Sequence, residues 1–129
     1  MPHVLVAGAA GLEAFHAGFQ PAGFTEGGVV HRVLAAYLCH DRRGVLLDCL
    51  VVEGHLRQGF FVLLTESPEG IMVRLLPRTS PQKTAGVKRL LVWIASRLRA
   101  GTPGAEFGRT NLAAQMQTPL PGPDDLLGS

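Results

Sequence analysis

The sequence is poor in cysteine and in uninterrupted apolar stretches. Its 129 residues include two cysteines, which are too few for a disulfide scaffold, and the Met-Pro-His start lacks the layout of a signal peptide. We therefore expect a cytoplasmic location, where thiols stay reduced. Charged residues interrupt every apolar run before it reaches the roughly 18 residues that a membrane-spanning helix needs. The sequence therefore predicts no membrane-spanning segment.

Charged residues are also scarce, at 17% of the chain against 47% hydrophobic residues, and the formal net charge is +2. This composition excludes an intrinsically disordered chain. The charge is unevenly distributed, because no acidic residue occurs between Glu69 and Glu106. The basic residues of that interval are Arg74, Arg78, Lys83, Lys88, Arg89, Arg97 and Arg99. A local positive field of this kind can steer a partner even when the net charge is small.

The length of the chain fits one domain with a single core. Sixteen glycines and nine prolines are concentrated towards its two ends, which predicts a more regular middle. We divide the chain into an N-terminal strand, helix and loop over 1–28, a core over 29–101, and a Gly/Pro-rich tail over 102–129. The tail is expected to be partly flexible and to contain a short helix over 110–117.

The middle of the chain contains four stretches typical of β-strands, separated by polar turns. They cover residues 29–39, 45–53, 60–65 and 71–76. A helix is predicted from Ser80-Pro81, where serine can cap the free amides, to a stop at Gly101. Its apolar stripe consists of Val87, Leu90, Leu91, Ile94 and Leu98. The predicted fold class is α+β: a four-stranded antiparallel meander sheet packed by a C-terminal amphipathic helix, with a short N-terminal helix.

The register of the first hairpin follows from its polar loop over 40–44, if Cys39 faces Val45. The further pairs are Tyr37 with Leu47, Ala35 with Cys49, Val33 with Val51, and His31 with Glu53. Asp48 then lies on the other face of the sheet, where Arg32 or Arg74 is the expected ion-pair partner.

The central strands do not alternate between apolar and polar residues. Residues 60–64 are continuously apolar, and Leu46-Leu47 interrupts the alternation in the preceding strand. Such strands are apolar on both faces of a sheet, and one helix can cover only one face. The second face must be covered by the N-terminal segment, by the tail or by another subunit, because large exposed apolar patches are rare on monomers.

The pair of His31 and Glu53 is a candidate general base with its orienting carboxylate. No nucleophile or second acid accompanies it in the sequence, so a polar cross-strand pair explains it better. We identify no catalytic residue, and a small enzyme ranks below the non-enzymatic alternatives.

Two further patterns resemble ligand sites. The residues Cys39, His40, Asp41, Asp48 and Cys49 include zinc-ligand types, but the two cysteines are four positions apart along paired strands, too far for one ion. The segment from Gly8 to Gly11 resembles the glycine turn of a dinucleotide-binding unit, but Ala14 stands at the third glycine position and no crossover helix follows. We therefore predict no metal and no cofactor.

The basic helix is the main candidate binding surface. Trp93 lies off the apolar stripe and four residues from both Arg89 and Arg97, so its indole can be flanked by two guanidinium groups. Lys88 and Arg99 extend this surface. Basic groups bind phosphates and an exposed aromatic ring can stack on a base. The alternative is a solvated helix face with Trp93 at its margin or in a dimer contact.

Four antiparallel strands followed by one helix resemble, in outline, the Whirly-type single-stranded DNA-binding proteins, which act as oligomers. The resemblance is one of topology and rests on no sequence motif. It implies oligomerisation and binding of single-stranded nucleic acid.

These observations favour a non-enzymatic homo-oligomeric interaction protein, a dimer whose doubly apolar sheet is completed by a second copy or by a protein client. Trp93 and the strand carrying Phe60 and Phe61 are the predicted anchors. The alternative is a single-stranded nucleic-acid-binding protein that uses the basic helix. A small-molecule-binding domain or small enzyme is the third hypothesis.

Overall fold

A computed structural model describes residues 2–76, 82–117 and 119–120 of the chain. The described residues form seven β-strands, two α-helices and one 3₁₀ helix. The strands are β1 (His3–Ala7), β2 (Ala22–Glu26), β3 (Val29–Leu38), β4 (Gly44–Glu53), β5 (Leu56–Ser67), β6 (Gly70–Leu75) and β7 (Glu106–Thr110). The helices are α1 (Leu12–Ala17), α2 (Ala85–Ala100) and the 3₁₀ helix Ala113–Met116.

All seven strands belong to one antiparallel sheet in the order β2-β3-β4-β5-β6-β1-β7. The predicted four-stranded meander packed by a C-terminal helix is therefore wrong. The N-terminal strand β1 adds to β6, β7 adds to β1 at one edge, and β2 adds to β3 at the other. A sheet of this width curls into a half-barrel because successive strands are twisted relative to one another.

The sheet curls around α2, which lies in its concave side. Ten of the sixteen residues of α2 are buried, including all five of the apolar stripe. Helix α1 contacts β3 and β4, and Phe15 of α1 and Phe19 just after it line a cavity together with Trp93 of α2. Both helices therefore cover the same face of the sheet. No helix among the described residues is long and apolar enough to cross a bilayer.

Helix α2 begins later than the sequence predicts. Thr84 is its N-cap residue, and the Thr84 hydroxyl accepts a hydrogen bond of 3.3 Å from the backbone N–H of Val87. Gly101 is the C-cap residue of the helix. The positive charges of Arg97 and Arg99 in the last turn interact favourably with the negative end of the helix dipole. Ser80 and Pro81, the predicted start, lie outside the described residues.

The predicted register between β3 and β4 is wrong by one residue at the hairpin loop, where Leu38 rather than Cys39 pairs with Val45, and by a second residue beyond a bulge in β3. Beyond the bulge, His31 pairs with Val51 rather than with Glu53. Near the loop, Tyr37 pairs with Leu46, so the two parts of β3 are offset by one residue. The irregularity falls between Val33 and Ala35. A bulge reverses the alternation of side chains along a strand, which is why Tyr37 points away from the core although His31 points into it.

The described segments on either side of the predicted core contain more regular structure than their glycine content suggests. Residues 20–28, predicted as a loop, contain strand β2. The segment 102–117, assigned to a tail, contains β7, and the helix predicted over 110–117 is a 3₁₀ helix of four residues. The rest of the predicted tail, at 118 and 121–129, lies outside the described part of the chain.

Gly23 shows why a glycine can stand inside a strand. A Cβ atom at this position would overlap the carbonyl oxygen of His31 on β3. We expect Gly23→Ala to reduce the free energy of unfolding by more than about 2 kcal/mol, because β2 must move away from β3. Gly101→Ala is the control, since its new Cβ comes no closer than 3.5 Å to another heavy atom. Urea denaturation of both variants measures the difference, and equal stabilities would contradict the close approach.

Candidate functional site

Trp93 is part of the core rather than of an exposed surface. Only 3% of its surface is exposed, and its ring centroid lies 5.2 Å from that of Phe24 on β2. The imidazole of His31 stacks on the Phe24 ring, with centroids 4.0 Å apart and an interplanar angle of 12°. The structure therefore buries the indole that the sequence places between two solvent-exposed arginines.

Arg89 is also buried, and it connects three parts of the chain. Its Nε and Nη2 atoms donate to the two carboxylate oxygens of Glu26 at 2.9 and 3.0 Å. Its Nη1 atom donates to the carbonyl oxygen of Gln115 at 2.6 Å, and Nη2 donates to that of Pro119 at 2.7 Å. The planar guanidinium thus fastens α2 to the edge strand β2 and to the segment after β7.

The other predicted basic residues do not form one surface with Trp93. Lys88 is half-buried, whereas Arg97 and Arg99 are exposed. The Arg99 guanidinium lies over the Phe107 ring of β7, 4.5 Å from its centroid. The helix therefore lacks the exposed indole that stacking on a base requires, and the seven-stranded sheet removes the outline resemblance to Whirly-type proteins.

His31 and Glu53 line a polar cleft at the start of α2, but each is hydrogen-bonded elsewhere. The Nδ1 atom of His31 lies 3.3 Å from the carbonyl oxygen of Phe24, and Glu53 accepts a hydrogen bond from the Thr84 hydroxyl. Burial lowers the pKa of His31, and the hydrogen bond to Phe24 and the charge of Glu26 only partly oppose this. The cleft thus holds a structural network rather than an acid–base pair.

The two cysteines do not form a site together. Cys49 is buried, and burial raises the pKa of its thiol, so the thiol is inert at neutral pH. Cys39 is partly exposed, and both thiols are free. The described residues contain no group of three or more metal-ligand side chains. The Gly8–Gly11 turn leads into a helix of six residues beside an antiparallel sheet, which is not the context of a dinucleotide site.

The convex face of β3, β4 and β5 carries apolar side chains that the described residues do not cover. Phe60 points to the concave core and is 2% exposed, whereas its neighbour Phe61 is half-buried on the convex side. The convex apolar side chains of β3, β4 and β5 are Leu34, Tyr37, Leu46, Leu50, Phe61 and Leu63. Two of them, Leu34 and Tyr37, are the most exposed large apolar residues described, at 43% and 54%. This set is called the convex patch.

Charged side chains interrupt the convex patch along a diagonal. Asp48 pairs in register with Ala35 and Phe61 in the middle of the patch. The row of paired residues on one side of Asp48 contains Arg32 of β3, and the row on the other side contains Arg74 of β6. The predicted ion pair of Asp48 with Arg32 or Arg74 is absent, because no ion pair among the described residues involves these three.

A cavity opens on the concave side, between α1, α2 and the sheet. Its volume is about 320 Å³, and its walls are mainly apolar. Its lining includes Phe15, Phe19, Ala22, Val33, Trp93 and Arg97. This cavity has no counterpart among the sequence predictions, because it depends on α1 and α2 sharing one face of the sheet, for which the sequence contains no direct signal.

Comparison of the chain with protein-family models, curated proteins and solved structures finds no match. The convex patch, the polar network around Arg89 and the apolar cavity are therefore the features from which function is inferred. Of these, the network is internally satisfied, because no buried side-chain nitrogen or oxygen in the described residues lacks a hydrogen-bond partner. The patch and the cavity are two surfaces on the described part of the chain that can accept another molecule.

Removal of the Arg89 guanidinium tests its role in holding three segments together. We expect Arg89→Met to lose about 2–3 kcal/mol of unfolding free energy, since Glu26 and two carbonyl groups lose their donor. Arg42→Met is the control, because Arg42 and Glu13 form an exposed pair, with side chains 69% and 57% exposed, worth less than about 1 kcal/mol. Urea denaturation at neutral pH measures both variants. A loss at Arg89 no larger than that at Arg42 would contradict the assignment.

The lowered pKa of His31 predicts a loss of stability on acidification. The imidazole of the unfolded chain titrates near pH 6.5. Just below that pH the unfolded state therefore binds a proton that the folded state binds only at a lower pH. The stabilisation is therefore complete above pH 6.5 and decreases as the pH falls towards the lowered folded pKa. We expect His31→Gln to show a smaller decrease in unfolding free energy between pH 7 and pH 5 than the parent chain. Parallel slopes for the two proteins would disprove the effect.

Proposed function

We propose that the chain is a homo-oligomeric interaction protein, a dimer in which the convex patches of two copies pack together. The supporting observation is the one-sided coverage of the sheet. Helix α1, helix α2 and Arg89 with its partners after β7 all lie against the concave side, whereas the convex patch is in contact with solvent in the single chain. Exposed apolar surface of this kind is characteristic of protein–protein contacts.

The size of the patch is compatible with a stable contact. At a rise of about 3.3 Å per residue and a spacing of about 4.8 Å between strands, β3 to β6 present a convex face of roughly 600 Å², of which the convex patch is a part. Protruding side chains add accessible area, which brings this whole face, with its charged residues, towards the about 800 Å² per partner of a standard interface. Two sheets can also pack face to face, about 10 Å apart, as they do in β-sandwiches.

The charges on the patch favour a second copy as the occupant. A twofold axis in the plane of the contact, passing between Asp48 and Arg32, would place each Asp48 against Arg32 of the second copy. Such a contact is self-complementary, which a symmetric dimer requires. It would also give Asp48 a partner inside an apolar contact, where an unpaired carboxylate is costly.

A cytoplasmic location is part of this proposal. Both thiols are free, and the buried Cys49 has no cysteine beside it with which to form a disulfide among the described residues. A reducing compartment suits such a chain.

The anchors of the contact are Tyr37, Leu34 and Phe61, whereas Phe60 and Trp93 support the patch from the core.

The oligomeric state tests the proposal directly. We expect light scattering at micromolar concentration to give twice the 13.7 kDa mass of the chain. Replacement of the two most exposed anchors, in the variant Leu34→Glu/Tyr37→Glu, should raise the dimer dissociation constant at least tenfold and leave the circular dichroism spectrum of the folded chain unchanged, because both side chains face solvent in the monomer. A monomeric parent chain would overturn the proposal.

Charge reversal distinguishes a second copy from coverage by the chain's own residues. Asp48→Arg alone and Arg32→Asp alone should each weaken the homodimer through repulsion across the contact. A mixture of the two variants should form heterodimers, in which both cross-contacts pair opposite charges. Arg43→Asp, in the exposed hairpin loop, is the control and should not restore association with Asp48→Arg. If residues 121–129 cover the patch instead, the parent chain is a monomer, and deletion of these residues produces a dimer.

A further inference from the structure

The apolar cavity has the size and the wall chemistry of a ligand site. Its volume of about 320 Å³ lies at the lower end of the range for small-molecule pockets. Since a water molecule occupies about 30 Å³ of liquid, the cavity has room for about ten groups of methylene size. Phe15 of α1 and Phe19, just after the end of α1, form one wall, with ring centroids 6.3 Å apart, and Val33 of β3 and Trp93 of α2 form the opposite side.

One charged group stands at this cavity. Among the described residues that line it, Arg97 alone is charged. Arg97 follows Trp93 by four residues on α2, so the two side chains lie on the same face of the helix, one turn apart. The Arg97 side chain is exposed and forms no ion pair with any described residue, unlike Arg89, which is engaged by Glu26. A guanidinium group is therefore available beside an apolar space.

We propose that the cavity binds an amphipathic monocarboxylate with an apolar body of about eight to ten carbon atoms, the carboxylate resting on Arg97. The apolar body would replace water against Phe15, Phe19 and Trp93, which supplies the main part of the affinity. The guanidinium fork matches one carboxylate in a bidentate manner. A phosphate monoester carries a second negative charge that the cavity lining does not neutralise, so the carboxylate is the better match.

The connection between α1 and β2 forms the mouth of the site. Gly18, Phe19, Gln20 and Pro21 all border the cavity, and Gly18 and Phe19 are held to α1 by backbone hydrogen bonds of 3.1 and 3.2 Å. Ala22 follows at the start of β2 and pairs in register with Val33. The small side chain of Ala22 leaves space at this end of the cavity, where a larger residue would occupy it.

Trp93 provides a direct signal for binding, because it is the one tryptophan of the chain. Decanoate, titrated below the concentration at which micelles form, should change the Trp93 fluorescence in a saturable manner and raise the melting temperature. Decanol has the same chain without the charge and should bind at least tenfold more weakly. Equal affinities for decanoate and decanol would overturn the role of Arg97, and a linear response without saturation would overturn the site.

The arginine is tested with a matched pair of variants on the last turn of α2. Arg97→Gln should weaken decanoate binding at least tenfold and leave decanol binding unchanged. Arg99→Gln removes the same charge from an exposed residue that contacts Phe107 rather than the cavity, and it should bind decanoate like the parent chain. Equal effects of the two variants would show a nonspecific charge effect and reject the proposal.

The apolar part of the site is tested by filling it. Ala22→Leu should reduce the affinity for both decanoate and decanol, because the added carbon atoms occupy the mouth of the cavity. Ala17→Leu changes an exposed residue of α1 that does not border the cavity and should have no effect on binding. Circular dichroism of each variant verifies that it is folded. Unchanged binding by a folded Ala22→Leu variant would place the ligand elsewhere and contradict the proposal.

Discussion

The closure of the sheet around α2 is the constraint on which the rest of the structure depends. With ten of its sixteen residues buried, α2 contributes much more than one stripe to the core. Four strands cannot enclose a helix to this extent, so β1, β2 and β7 extend the sheet on both sides. The contacts of Arg89 then connect the helix to the strand at one edge of the curled sheet and to the segment beyond the other edge. One-sided coverage of the sheet follows from this arrangement.

The sequence allowed the strongly apolar segments to be located but not the width of the sheet. Residues 29–76 contain long runs of β-branched and leucine residues, whereas β2 and β7 are short and each contains a glycine. These glycines suggest loops, yet the structure uses them for close contacts: Gly23 against the β3 backbone and Gly108 against the Leu5 side chain. The reason for each glycine lies in a strand distant in sequence, so local patterns could not reveal it.

The burial of Trp93 and Arg89 was not predicted, for a related reason. An apolar stripe on one face of a helix implies that the remaining faces contact solvent, which places Trp93 and Arg89 outside. When a sheet wraps around the helix, the adjacent faces are buried as well, and a tryptophan and a paired arginine can both be accommodated there. The surplus of apolar residues in the central strands was visible in the sequence, because both faces of β4 and β5 are apolar. The sequence did not show which side of the sheet remains uncovered.

The bulge in β3 connects the two proposed binding surfaces. Val33 lies immediately before the bulge and lines the cavity, whereas Leu34 within it is 43% exposed on the outer side. The offset also turns Tyr37 outwards, where it joins Leu46 in the convex patch. A strand without the bulge would keep one alternation along its whole length and direct Tyr37 into the core. The extra residue therefore shapes the convex patch, while Val33 still lines the cavity together with Trp93. The patch and the cavity thus share the strand β3 without sharing a side chain.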